Sequence, residues 1–207
     1  MEIGEIISVA QKAQAELIVK KSRFIGQVAP VSGEGEACDF IEDIRSQHKA
    51  ANHNVFAYRI GPGAEIERCS DDGEPAGTAG RPVLDVLKRN NITNAVIVVT
   101  RYFGGILLGA PGLVRAYSQC ARMGIEAAGI RRRSLHDILA IRVDYEWLGK
   151  ARHLIETSGG VIRDAHYTDA VELVAESPKG DTKRIVSGLR DLTGGRAEIH
   201  FKGVAFL

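Results

Sequence analysis

The fold is decided by residues 95–112, which read Ala95-Val-Ile-Val-Val-Thr-Arg-Tyr-Phe-Gly-Gly-Ile-Leu-Leu-Gly-Ala-Pro-Gly112. The first five residues are apolar at every position and rich in β-branched side chains, as in a central strand that helices cover on both faces. A Gly-rich turn follows, and a helix is expected from about Pro111 to Ala128, where Gly129 ends it. The stretch therefore predicts an α/β layer structure built on a buried strand.

Neighbouring segments supply further elements of this layer structure. Apolar residues recur every three or four positions from Glu36 to His48 and again from Arg81 to Asn90, which predicts two amphipathic helices. The run from Val55 to Ile60 predicts a second strand. The helix that begins near Pro111 is expected to bury one stripe of side chains, namely Leu113, Val114, Tyr117, Ala121 and Ile125.

The residues after Gly129 indicate a second domain. The charged junction at residues 131–133 has no apolar periodicity, so we place a boundary there and expect domains at residues 1–132 and 133–207. Beyond it, strands near 139–143, 161–168, 170–176 and 197–201 are expected, with helices near 147–155 and 182–192. This β-α-β-β-α-β order is the ferredoxin-like motif. The predicted fold class is therefore α+β with two domains.

Composition limits the function. The 207 residues include 27 Lys plus Arg and 26 Asp plus Glu, so the net charge of +1 excludes a protein that coats polyanions with its whole surface. The three cysteines form no CxxC pair, which argues against a disulfide framework or a zinc site and favours the reducing cytoplasm. Residues 1–20 show no signal peptide, and no run of about eighteen apolar residues indicates a membrane span.

The segment Ser70-Asp-Asp-Gly-Glu-Pro-Ala-Gly-Thr-Ala-Gly-Arg81 is expected to be a surface loop, because it has almost no large apolar side chain. Its carboxylates, Asp71, Asp72 and Glu74, could accept hydrogen bonds from bases and hydroxyls or ligate a hard cation. The alternative is an Asp-Gly turn followed by a capped helix. No metal site is predicted, since neither an EF-hand spacing nor a histidine accompanies these residues.

The Gly-rich turn after the buried strand leads into a helix N-terminus, where free N–H groups favour an anion. Arg101 and Arg115 could add charge there, although the P-loop ending and the full GxGxxG spacing are missing. In the alternative interpretation the glycines only permit tight turns, and Arg101 pairs with Asp72 or Glu74. Near residue 21, clustered cations beside an aromatic side chain suit phosphate contact with base stacking, or are ordinary solvated strand residues.

Four segments together resemble the IMPACT/YigZ family, namely Lys21-Ser-Arg-Phe-Ile25, His53-Asn-Val-Phe-Ala-Tyr-Arg59, Ser70–Gly80 and Val99–Gly109. The resemblance covers roughly residues 15–130. It implies an N-terminal α/β sandwich similar to domain two of ribosomal protein S-five, and the tail resembles the ferredoxin-like domain of bacterial members, which is similar to a domain of EF-G. It also implies a role around translation, because the eukaryotic relative competes for the ribosome-linked activator of an initiation-factor kinase.

These observations lead to the hypothesis of a cytoplasmic, non-enzymatic RNA- or ribosome-associated regulator of translation, with RNA, the ribosome or translation factors as partners. The alternatives are a small-molecule or nucleotide-binding enzyme that uses the same loop and turn, and a homodimeric adaptor. We expect no cofactor and no membrane contact, and no catalytic residue can be assigned. The predicted nucleic-acid or anion-binding residues are Lys21, Arg23, His53, Arg101, Tyr102, Gly104, Gly105 and Arg115, and those of the loop are Asp71, Asp72, Gly73, Glu74, Gly77, Thr78 and Arg81.

Overall fold

The computed structural model describes residues 4–207, so the first three residues of the predicted N-terminal domain lie outside the described residues. The strands are β1 (Glu5–Val9), β2 (Ala13–Val19), β3 (Ser22–Pro30), β4 (His53–Ile60), β5 (Ile66–Ser70), β6 (Ala95–Tyr102), β7 (Ile130–Val143), β8 (Val161–Tyr167), β9 (Val171–Pro178) and β10 (Glu198–Phe206). The helices are α1 (Glu34–Gln47), α2 (Gly80–Arg89), α3 (Ala110–Ala128), α4 (Leu148–Thr157) and α5 (Thr182–Thr193). No helix of this part of the chain is long and apolar enough to cross a membrane.

The chain divides into two compact units, each with its own sheet and helices, which confirms the predicted α+β class with two domains. Ile6–Arg132 form one unit, and Arg133–Leu207 form the other together with Gly4 and Glu5. Residues 131–133, expected as an irregular junction, lie instead within β7. Their lack of apolar periodicity has a simple cause, since these arginines are exposed positions of a strand.

The first unit is a three-layer sandwich around an antiparallel sheet of order β2-β3-β6-β4-β5. Its middle strand is β6, and the expectation of a central strand with two buried faces is confirmed. Val96 and Val98 pack in the cluster that α1 covers, whereas Ile97 and Val99 pack in the cluster that α2 and α3 cover. Because side chains alternate along a strand, every residue of β6 before Tyr102 is buried in one layer or the other.

Two features of this unit differ from the expectations. The strands β1, β2, β3 and β5 were not predicted. β2 and β5 are sheet-edge strands with partly exposed faces, and in β3 the residue Gly26 interrupts the run of apolar side chains. The interruption has a steric cause, since a Cβ at Gly26 would lie 2.7 Å from the carbonyl oxygen of Cys120 in α3. Val114 was expected in the buried stripe of α3, but it lies beside that stripe and is 37% exposed.

Besides β1, which pairs with β7, the five-stranded sheet of the second unit has the order β10-β7-β9-β8, in which every pair is antiparallel. Numbered within the unit, this is fourth, first, third, second, the arrangement that β-α-β-β-α-β connectivity gives in ferredoxin-like folds. Its core joins Ile141 and Leu173 of the sheet to Ile155 of α4 and Leu189 of α5. The predicted ferredoxin-like order is therefore confirmed.

Candidate functional site

A cavity of about 400 Å³ lies in the first unit, at the end of β6 where the chain turns toward α3. Polar side chains stand next to apolar ones in its lining, which comprises Asn52, His53, Glu74, Pro75, Arg101, Phe103, Leu107, Leu108, Gly109, Ala110 and Leu113. Leu107 is 81% exposed and Phe103 is 44% exposed. The cavity therefore combines an apolar rim with a polar floor, the usual composition of a small-ligand site.

Arg101 and Glu74 form the floor of the cavity. The Nη1 atom of Arg101 donates to Oε1 of Glu74 at 2.6 Å, and both side chains are almost fully buried. The Tyr117 hydroxyl of α3 donates to the same carboxylate oxygen at 2.7 Å. Burial is the main cause that raises the pKa of Tyr117, and its hydrogen bond to Glu74 adds to the effect. The phenol therefore remains protonated around neutral pH and holds the carboxylate as a donor.

Strand register brings His53 to the same floor. His53 is directly opposite Arg101 in the pairing of β4 with β6, so both side chains lie on the α2 and α3 side of the sheet. The His53 Nδ1 atom is 2.8 Å from the carbonyl oxygen of Asp72, and its Nε2 atom is 3.8 Å from Oε1 of Glu74. Because a carbonyl only accepts, Nδ1 carries the proton, and Nε2 of the neutral ring is an acceptor.

One nitrogen of Arg101 is without a partner. Its guanidinium lies between the rings of Phe24 and Phe103, with its Cζ atom 5.4 and 5.5 Å from the ring centroids, and Nη2 is 3.5 Å from the Ser22 hydroxyl. The Nε atom is buried and has no hydrogen-bond acceptor among residues 4–207. Leaving a buried donor unpaired costs about 1–3 kcal/mol, so such groups are rare in folded proteins.

The start of α3 forms another side of the cavity. Gly109 precedes the helix with a φ of 71°, a conformation that favours glycine, and Gly109 and Ala110 both line the cavity. The first N–H groups of a helix lack intrahelical acceptors, and they lie at the positive end of the helix dipole. Partial positive charge thus adjoins the apolar rim.

The loop before α2 is not the wholly exposed segment expected from its composition. Glu74 and Thr78 are buried, because Glu74 finds donors in Arg101 and Tyr117. Asp71 accepts from the N–H groups of Gly77, Ala79 and Gly80 at 2.8, 3.0 and 2.8 Å. This is the capped-helix alternative, in which a carboxylate satisfies the first donors of α2.

The remaining predicted residues of the loop hold it in place. Asp72, with a φ of 47°, accepts from the Asn54 N–H at 2.6 Å, and the turn continues through Gly73 and Gly77, both at positive φ. Arg81 pairs with Asp85 on the exposed side of α2. No group of three or more histidine, cysteine or acidic side chains in the described chain is arranged to hold a metal ion.

The structure brings only some of the predicted cations to the cavity. Arg23 pairs with Glu16 at 2.7 Å and is opposite Tyr102, whose hydroxyl is 2.9 Å from Nδ1 of His48. These side chains lie on the α1 side of the sheet, because they alternate with Phe24 and Arg101 along their strands. Arg115 is exposed on α3 and does not line the cavity. A composite site that joins Arg23 and Tyr102 to Arg101 is therefore not formed.

Lys21 and the glycine turn are close neighbours. Lys21 has a φ of 65° in the hairpin between β2 and β3, and a Cβ at Gly104 would lie 2.1 Å from its carbonyl carbon. The Gly104 N–H donates to the Ser22 hydroxyl at 3.1 Å, and Gly105 has a φ of 82°. The predicted residues of the turn therefore position Phe103 and fix the hairpin beside it.

Sequence reasoning missed the apolar residues of the site. Phe103, Leu107 and Leu108 belong to the Gly-rich stretch, in which only the glycines, Arg101 and Tyr102 were predicted as binding residues. Tyr117 was assigned to the core stripe of α3, and its hydroxyl bond to Glu74 was not foreseen. A usable signal was present, since exposed apolar residues between glycines in a loop indicate a binding surface.

The comparisons with known proteins agree with this architecture. Residues 20–125 match the family described as Impact N-terminal domain, and residues 141–196 match Domain of unknown function (DUF1949). The chain is 40% identical to IMPACT family member YvyE of Bacillus subtilis, over 93% of this chain and 88% of that protein. It is 32% identical to IMPACT family member YigZ of Escherichia coli, over 87% and 90%.

Two further comparisons extend the likeness. Protein IMPACT of Mus musculus is 35% identical over 50% of this chain but only 33% of its own length. A solved structure titled "Crystal structure of an hypothetical protein" superposes with a TM-score of 0.61 at 30% identity, covering 95% of this chain and 96% of that chain. Residues 20–125, which match the Impact N-terminal domain, lie in the first unit. The chain belongs to the IMPACT family.

Proposed function

We propose that this protein is a non-enzymatic RNA- or ribosome-associated regulator of translation and that the cavity above Arg101 is its recognition site. One observation carries the proposal, namely the buried Nε donor of Arg101 that no described residue satisfies. The Arg101 side chain lines a cavity with an apolar rim beside the start of α3. A ligand acceptor that reaches this nitrogen recovers the hydrogen bond that the free protein lacks.

Recognition fits the floor better than catalysis does. Arg101 and Glu74 neutralise one another, and the Glu74 carboxylate already accepts two short hydrogen bonds at Oε1. Its Oε1 lone pairs are therefore occupied and are not available to take a proton from a ligand. The raised pKa of Tyr117 likewise keeps its proton in place. The groups of the floor therefore orient a ligand rather than exchange protons with it.

The setting in translation is supported by the resemblance to the eukaryotic IMPACT protein, and a location in the cytoplasm is part of the same proposal. Exposed cations provide the contacts that phosphates require. Lys21 stands beside the Gly104 turn, and Arg115 is exposed on α3, the helix whose first residues line the cavity. Such binding is sensitive to salt, because each phosphate that a Lys or Arg side chain contacts releases counterions into the solution.

Filter binding to RNA and co-sedimentation with ribosomes, each at low and moderate salt, test the proposal. We expect association at low salt that weakens as salt rises. The Ala110→Trp variant fills the mouth of the cavity from an exposed position and is expected to lose the association. Gln119→Trp is the matched control, since Gln119 is exposed on the same helix outside the lining. A failure to associate with RNA, ribosomes or translation factors at low salt contradicts the proposal.

A second candidate, a small-molecule or nucleotide-binding enzyme, is favoured by the size of the cavity and by the helix start in its lining. Thermal-shift screening with nucleotides and divalent ions tests it, because a ligand that binds only the folded state raises the melting temperature. We expect little stabilisation by free nucleotides at micromolar concentration.

The homodimer stays a prediction. Light scattering with and without residues 134–207 tests it.

A further inference from the structure

We infer that the cavity above Arg101 receives a single unstacked nucleobase of a single-stranded RNA. The inference rests on the proposed function and names the ligand group that the site recognises. It follows from the walls, the floor and the mouth of the cavity, which each favour a different part of a nucleotide.

The walls favour the flat apolar faces of a base. Phe103, Leu107, Leu108 and Leu113 line the cavity, and the Phe103 ring is 44% exposed. A phosphate placed between these side chains would lose hydration without gaining partners, whereas a base gains contact over both faces. The volume of about 400 Å³ is sufficient for one nucleoside and lies within the range of small-ligand sites.

The floor favours the polar edge of a base. Arg101 and His53 both line the cavity; the Arg101 side chain is 5% exposed and carries the unpaired Nε–H, and the His53 Nε2 atom is an acceptor when its ring is neutral. Every base has donors and acceptors on its hydrogen-bonding edges, so it can satisfy both groups at once. A phosphate only accepts. It also requires net positive charge, which Glu74 cancels at Arg101 with a 2.6 Å ion pair.

The mouth favours the phosphate that accompanies the base. Gly109 and Ala110 place the first turn of α3 there, where free N–H groups attract anions. Gly104, which follows Phe103, packs against the backbone of Lys21, so the hairpin cation stands close to the same rim. Positive potential at the rim and a neutral floor together match a nucleotide whose base points inward.

Single-stranded RNA also fits better than a duplex. Bases in a duplex are stacked and paired, and extruding one of them costs several kcal/mol in typical cases, whereas an unpaired strand presents its bases freely. The apolar rim is exposed, as Leu107 at 81% shows, so a flexible strand can approach it without deformation. Each of the four bases fits these contacts, because each carries a donor and an acceptor on one edge.

Fluorescence anisotropy with labelled octamers tests the inference. The probes are oligo(U), oligo(A), oligo(C) and an abasic ribose-phosphate octamer of the same charge, at low salt. We expect at least one base-bearing octamer to bind about tenfold or more tightly than the abasic chain, the range that base stacking on an aromatic side chain provides. Equal binding of all four octamers overturns the inference and leaves the proposed function intact.

Variants locate the contact. Ala110→Trp and Phe103→Ala are expected to reduce binding of the preferred octamer to the abasic level, with little effect on the abasic chain. Both positions are exposed, so neither substitution changes the packing of the core. The control Gln119→Trp is expected to retain wild-type binding. If the preference for bases persists in Ala110→Trp, the bases bind elsewhere and the inference is wrong. If no octamer binds and ribosome co-sedimentation also fails, the proposed function falls together with the inference.

Discussion

Arg101 at the end of β6 and Glu74 in the loop before α2 are joined by a 2.6 Å ion pair from which water is almost fully excluded. The pair links the central strand to a segment 27 residues earlier in the chain. Tyr117 completes it from α3, so three elements converge on one carboxylate. The loop before α2 is therefore held in place by the buried contacts of Glu74 as well as by the backbone conformation of its turns.

Removing one partner of this pair is expected to destabilise the protein strongly. Glu74→Ala leaves Arg101 as an uncompensated buried charge, and we expect a loss of about 3–5 kcal/mol in the free energy of unfolding. Asp85→Ala, which breaks the exposed pair with Arg81, is the control and is expected to cost less than about 1 kcal/mol. Urea denaturation measures both. Similar losses for the two variants would show that the Glu74 pair is not energetically special.

Tyr117 predicts a pH dependence of stability. Burial raises the pKa of its phenol in the folded state, whereas tyrosine in an unfolded chain ionises near pH 10. The stabilisation is therefore complete below about pH 10 and is lost as the pH rises toward the folded pKa, at up to about 1.4 kcal/mol per pH unit. Tyr117→Phe is expected to reduce that slope, and Tyr145→Phe, at an exposed position, to leave it unchanged. Denaturation series from pH 8 to 11 give the slopes.

Gly104→Ala is expected to disturb the site by a steric effect alone. The new Cβ would lie 2.1 Å from the carbonyl carbon of Lys21 and 2.4 Å from the amide nitrogen of Ser22, so the hairpin must move. We expect a loss of about 1–3 kcal/mol in stability. Gly35→Ala in α1 is the control, since nothing lies within 4 Å of its Cβ, and helix propensity predicts a gain of up to about 1 kcal/mol. Equal melting temperatures for the two variants would refute the steric account.

Asp71 is expected to stabilise α2 by accepting from three backbone N–H groups. Asp71→Ala removes both carboxylate oxygens that accept these three hydrogen bonds, and we expect a cost of about 1–2 kcal/mol, as for the loss of a helix cap. Asp39→Ala on the exposed face of α1 is expected to change stability by less than about 0.5 kcal/mol. Thermal unfolding compares the two. If Asp71→Ala left the free energy of unfolding almost unchanged, water would be replacing the carboxylate as acceptor at no cost in stability.

The three cysteines are expected to react in a fixed order with iodoacetamide at pH 8. Cys38 and Cys69 are both exposed, but partial desolvation of its thiol, followed by the charge of Asp71, raises the pKa of Cys69. Cys120 is buried, and burial raises its pKa to about 12. Since the thiolate is the nucleophile, Cys38 should react first and Cys120 only when the chain unfolds. Peptide mass spectrometry follows each site, and rapid labelling of Cys120 in the folded protein would contradict the packing of α3 on β3.

The sequence predicts the elements whose burial gives them a clear pattern. β6 was predicted because both of its faces are apolar, and the second unit because its strands and helices differ in period. The edge strand β5 lacks such a pattern, whereas in β2 the alternation of Ala13, Ala15 and Leu17 with Gln14 and Glu16 was overlooked. The period of apolar residues in a sequence predicts a single helix or strand. The order of the strands in a sheet depends instead on pairing between segments that are far apart in the chain.

The site was only partly predictable for the same reason. Pairing of Arg101 with an acidic residue of the loop was one of two interpretations, and the structure selects Glu74. The separation of Arg23 from Arg101 could not be read from the sequence, because it depends on the register of β3 against β6. A shift of one residue in that register would place both cations on one face.

The two-sided burial of β6 has a consequence for how the site meets its ligand. Amide hydrogens of a strand covered by helices on both faces exchange only when the whole domain opens. Arg101 belongs to that strand, so the floor of the cavity is as long-lived as the native state itself. A ligand thus meets a preformed surface and loses little free energy to ordering it, and slow exchange in residues 95–101 is the signature of that rigidity.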